Sequence, residues 1–207
     1  MKKLAIGLIS LSLLTAPLFA TTSQVTAASQ PAATQLNNST QLTQDKNQVA
    51  KIDPYVSVQD NRYVLNIPAD KSLSAAEITM AQEMIKKSNA AIEQTHVTIS
   101  PKTKTAVYTM PSAPDDHGIE LRSAGTNRAV FHWNYVRIYL DAGNTRLIAA
   151  GAVGAIGGVL AGLATTVGAS AFVGAAAAVL GMKASEIYDG TYWDWNYAVG
   201  LTNWGWQ

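Results

Sequence analysis

From Leu147 to Met182 the chain carries no charged side chain, a run of 36 residues bracketed by Arg146 and Lys183. A single membrane-spanning helix needs about 20 apolar residues. The run is too long for one helix and suits two, joined near Thr165-Thr166-Val167-Gly168. Gly154, Gly158 and Gly162 recur every four residues in the first arm. On a helix that spacing puts all three on one side, where a second backbone can approach closely. Gly174 and Ala178 give a weaker small-residue pair on the second arm. In water each of the run's eight glycines would cost about 0.5–1 kcal/mol relative to alanine. Close packing, or transfer into lipid, must offset that. The run therefore serves either as a buried hairpin core or as a hairpin that enters a bilayer. Because Ala and Gly are only weakly apolar, such a run can be exported and inserted later, whereas a Leu-rich run would be stopped on the way.

Aromatic segments flank the run. On the N-terminal side, 129–140 reads as one strand, with Phe131, Trp133, Tyr135 and Tyr139 sharing a face with Arg137, and Val136, Ile138 and Leu140 on the other. Asp141-Ala142-Gly143-Asn144 reads as a turn. On the C-terminal side, 191–201 alternates: Trp193, Trp195, Tyr197, Val199 and Leu201 on one face, Tyr192, Asp194 and Asn196 on the other. Trp204 and Trp206 follow. Four of the five tryptophans lie in the last seventeen residues, and Trp-Asn-Tyr occurs at both 133–135 and 195–197. Tryptophan and tyrosine suit a core, and equally the membrane–water boundary, since the ring is apolar and its N–H or O–H needs a polar partner. Trp133, Tyr135, Trp193, Trp195, Tyr197, Trp204 and Trp206 are thus candidate interfacial residues. In the alternative, the two aromatic strands pair in one sheet and cover the hairpin.

The N-terminal half is different. Lys2 and Lys3 precede an apolar stretch, Leu4 to Ala20, and small residues end at Ala27-Ala28; 1–28 is expected to be a secretory signal peptide. Without it, 13 of the 15 basic residues face 14 acidic ones. That near-neutral balance argues against nucleic-acid binding, which needs a basic footprint. There is no cysteine, hence no disulfide and no thiol chemistry. Residues 29–51 are polar and read as a disordered linker. Order is expected from Ile52. Alternation around Asp60-Asn61 predicts a hairpin within 55–68. Ser74 with Glu77 makes a capping box, and Ile78, Ala81, Ile85 and Ile92 recur at helical spacing, which predicts a helix over 74–94. Short strands are expected in 96–110 and 119–123. The chain thus divides into a small α+β module, 52–128, and an aromatic part, 129–207: strands flanking a Gly/Ala-rich helical hairpin. The fold class is α+β.

Signal peptide, strand-bearing polar module, aromatic strand, Gly/Ala-rich run and Trp-ending tail together resemble secreted bacteriocin-like, membrane-active proteins of Gram-positive bacteria. The likeness covers about 129–207 plus the signal. The repeat at Gly154, Gly158 and Gly162 is similar to glycine zippers. The resemblance implies an extracellular protein whose partner is a bacterial membrane, which it permeabilises as a homo-oligomer. Enzyme motifs are lacking: there is no HExxH, GxSxG or phosphate-binding glycine loop. Asp115-Asp116-His117 reads as a solvated turn and His132 as a structural histidine. Neither catalytic residue, metal nor cofactor is expected. The competing reading is a secreted soluble binding module, its hairpin a buried core and its aromatic tail binding glycan or protein.

Overall fold

The computed structural model describes residues 47–70, 73–110, 125–152, 160, 168–181 and 184–207. The expected signal peptide, the strand at 119–123, the Asp115–His117 turn and the glycines 154, 158 and 162 lie outside them. The described chain is α+β, as the alternating patterns predict.

Residues 47–52 are helical (α1), so the last part of the expected linker is ordered. The reason is burial: Ile52 is wholly enclosed and Val49 packs on the core. Strands β1 (Val56–Gln59) and β2 (Arg62–Leu65) form the expected hairpin. Asp60 and Asn61 take φ of 48° and 59°, the left-handed pair that a two-residue hairpin turn requires. The Asn61 side chain also donates to Val97 O and accepts from Ile99 N, tying the turn to the segment beyond the next helix.

Helix α2 (Ala75–Thr95) opens on the expected capping box: Ser74 Oγ accepts from Glu77 N and Glu77 accepts from Ser74 N. It buries Ala81, Met84, Ile85, Ser88, Ala91 and Ile92, one face at three- and four-residue steps. It ends on His96 in the left-handed region.

Strands β3 (Ala106–Thr109), β4 (Arg128–Phe131), β5 (Tyr135–Leu140), β6 (Thr191–Asn196) and β7 (Gly200–Trp206) make one antiparallel sheet in chain order. The sheet runs straight through the expected boundary at 128/129, with β3 on one side of it and β5–β7 on the other.

Two expected strands are in fact hairpins. The segment 129–140 turns at His132–Tyr135, where His132 N donates to Tyr135 O at 2.9 Å. Phe131 therefore pairs with Val136 and shares the apolar face with Ile138, away from Tyr135 and Arg137. Trp133 leaves the strand altogether and donates from Nε1 to Asp53 at 2.8 Å. The segment 191–201 turns after Asn196, whose Oδ1 accepts from Ala198 N and Val199 N. Gly200, at φ +85°, starts the return strand.

Between β5 and β6 lie α3 (Ala142–Ala149) and α4 (Ala169–Leu180), which pack on each other. The expected turn at 141–144 is instead the start of α3, because Asp141 caps it by accepting from Asn144 N. Of the first arm of the expected hairpin, the described residues are 147–152 and 160, and 147–149 belong to α3. Helix α3 ends at Ala149, and Gly151 takes φ +68°. Gly168 and Gly181, at φ +70° and +55°, bound α4. No helix of the described residues is long and apolar enough to cross a membrane.

Candidate functional site

The two faces of the sheet differ. Ladder pairing puts Phe131, Val136, Ile138, Trp193, Trp195, Leu201 and Trp204 on one face. Helix α4 lies on it: Phe172 meets Trp193 and Trp195 edge-on at 6.0 and 5.9 Å between centroids. Trp204 stacks on Trp193 at 5.3 Å, and Trp206 meets Trp204 edge-on. Trp193 Nε1 is satisfied by Thr191 Oγ1 at 2.7 Å, which allows the ring to be fully buried.

The candidate interfacial aromatics therefore separate. Trp133, Trp193 and Tyr197 are core residues in this fold. Trp195 and Trp204 are half-buried beside α4, and Trp206 is 44 % exposed at the end of the edge strand. Tyr135 is on the opposite face. Of the small residues singled out for close approach, Gly174 and Ala178 lie on the outer side of α4, with Ala171 and Val179. Nothing lies within 4 Å of where a Gly174 side chain would begin.

No side chain of α4 makes a hydrogen bond or ion pair among the described residues. The helix buries Phe172, Val173, Ala176 and Leu180 against the sheet and α3, and faces outward with Ala171, Gly174, Ala178, Val179 and a single polar side chain, Ser170. A helix with so little polar surface is usual inside a large core or a bilayer, and unusual on a domain surface.

The second face of the sheet is polar and aromatic. Arg137 donates from Nε and Nη2 to the two carboxylate oxygens of Asp194 at 2.6 and 2.8 Å, a forked pair. That carboxylate holds the guanidinium strongly in its charged form. Arg137 also lies over the Tyr192 ring at 5.1 Å, and Arg128 over Tyr139 at 4.3 Å. Tyr192 rests flat against Gly205, where an added Cβ would be 2.7 Å from the ring. His132 stacks on Tyr135 at 4.2 Å, and burial holds its imidazole down at about 4, so it is neutral at pH 7.

Where this face meets α1 there is a cleft of about 860 Å³. Register brings the two Trp-Asn-Tyr copies together at its floor: Tyr135 pairs with Asn196, and Tyr197 N donates to Asn134 O. A bulge in β7 sets both Thr202 and Asn203 beside Asp194. Neither asparagine of the repeated tripeptide stands out in the sequence as a site residue. The repeat itself was the available signal. Among the described residues no group of three or more His, Asp or Glu is placed to hold a metal ion. No family model, curated protein or solved structure matches the chain.

Proposed function

We propose that this is a secreted protein that acts on bacterial membranes, in the manner of bacteriocin-like proteins. Its uncharged segment moves from the sheet into the bilayer and self-associates there through Gly154, Gly158, Gly162, Gly174 and Ala178. The observation that carries this reading is α4: apolar on both sides but for Ser170, without a polar tether, and bounded at both ends by glycines in the left-handed conformation. Leaving the sheet breaks no side-chain hydrogen bond of α4, and lipid replaces the apolar burial that is lost. Twelve residues of helix reach about 18 Å, short of the roughly 30 Å hydrocarbon layer. Insertion therefore needs the whole run 147–182 as a hairpin.

The test is dye release from vesicles. Val179 is 41 % exposed, so Val179→Lys should leave the fold and its stability in water unchanged. In the bilayer the same lysine costs about 2.5–3.5 kcal/mol. Wild-type protein should release dye and the variant should not. Equal release by both would remove α4 from the mechanism. The competing reading, a binding module with the hairpin as permanent core, is favoured by the complete burial of Trp193; it requires all protein to stay in the aqueous fraction when floated with vesicles.

A further inference from the structure

We infer that the cleft between α1 and the polar face of the sheet binds a neutral oligosaccharide, independently of any membrane activity. Asn134 and Asn196 border it, and each is only 8 % exposed. The Asn134 side-chain amide makes no hydrogen bond to any described residue, and Asn196 uses only its Oδ1, in its own turn. Their unpartnered polar atoms are not sealed off from solvent, so they open into the cleft and are free to meet a ligand. Together the two side chains offer donors and an acceptor from within the wall of one cleft.

The surroundings choose the ligand. Arg137 and Asp194 neutralise each other in the forked pair, and Asn203 adds a third bond to that carboxylate. Asp53 accepts from Trp133 Nε1 and lies 3.7 Å from Lys104. The cleft therefore presents no uncompensated charge to an anionic or cationic ligand. Tyr135, held in one orientation by the His132 stack, adds an aromatic ring to the same wall. Sugar hydroxyls both donate and accept, as amides do, and a ring's C–H face rests on an aromatic surface. An extended peptide would instead seek free backbone groups of an edge strand; the edge strand β7 lines the cleft with Thr202 and Asn203, whereas the two asparagines belong to the β4–β5 turn and the inner strand β6, so uncharged peptides are the control that decides. The volume falls within the range of small-ligand pockets, about 300–1,000 Å³.

The intact secreted chain should be titrated calorimetrically with neutral tri- and tetrasaccharides of glucose, N-acetylglucosamine, galactose and mannose, and with uncharged peptides of similar size. We expect saturable binding of at least one oligosaccharide. Asn134→Ala, at a position with no positive φ and no partner to lose, should weaken it about tenfold at unchanged Tm. Ala50→Trp, an exposed site on the α1 wall, should block it. Absence of binding to every sugar at millimolar concentration, binding that both variants leave intact, or binding of peptides alone would each overturn the proposal.

Discussion

Helices α2 and α4 are held to the same core by different means. Helix α2 has a capping box at its start and polar ties along its length: Lys87 Nζ to Tyr197 O at 2.6 Å, Ser88 Oγ to His132 O at 2.8 Å, and Asn89 to both backbone groups of Tyr63. Arg62–Glu93 and Lys51–Glu77 add exposed or partly exposed ion pairs, which contribute little individually. Helix α4 has a glycine at each end, no side-chain cap and no polar tie. Hydrogen bonds are directional and fix a helix in one place. Apolar contact is not directional and is available equally from lipid. On the proposed function, α2 is the permanent framework and α4 the element that leaves.

Phe172→Ala offers the strongest way to break that comparison. It removes a fully buried ring between α4 and Trp193, at a cost of about 3–5 kcal/mol. We expect native-state hydrogen exchange to show α4 deprotected and α2 still protected. If both helices lose protection equally, they form one cooperative unit and the distinction fails.

Ser88→Ala cuts a buried tie of α2 and leaves His132 O without that donor, for about 1–3 kcal/mol. If α2 is framework, as proposed, this loss appears in global denaturant unfolding and leaves any vesicle release per folded molecule unchanged. Ser74→Ala removes the cap at about 1 kcal/mol, again seen as a lower urea midpoint.

The smallest effect concerns pH. Burial depresses the His132 pKa from 6.5 to about 4, so the unfolded chain takes up this proton first as acid is added. Stability from this group is full above pH 6.5 and falls as pH drops toward about 4. A Tm profile should show that slope, and His132→Gln should flatten it. An unchanged slope in the variant would assign it to other groups.

Local chemistry was readable wherever a few adjacent residues decide the structure. Asp60-Asn61 announces its turn and Ser74-x-x-Glu77 its helix start. The turn at His132–Tyr135 was hidden, because 129–140 has apolar or aromatic residues on both parities and contains neither Gly nor Pro. What fixes that turn comes from far along the chain: Asp53 for Trp133, and Ser88 for His132. The turn after Asn196 was more accessible, since Asn196 and Gly200 are turn residues, but the alternation of tryptophans concealed it. The cleft depends on the Tyr135–Asn196 register and on α1, neither of which is a property of one segment. The uncharged run reads as helical, yet where α3 and α4 end depends on the left-handed glycines 151 and 181.

Hydrogen exchange of the α4 amides, measured with and without vesicles, decides whether α4 leaves the sheet for lipid. Fast exchange of α4 relative to α2 is expected in water, and strong protection of α4 when vesicles are added, with α2 unchanged. Protection of α4 equal to that of α2 in water, and unaltered by lipid, would show that it stays on the sheet.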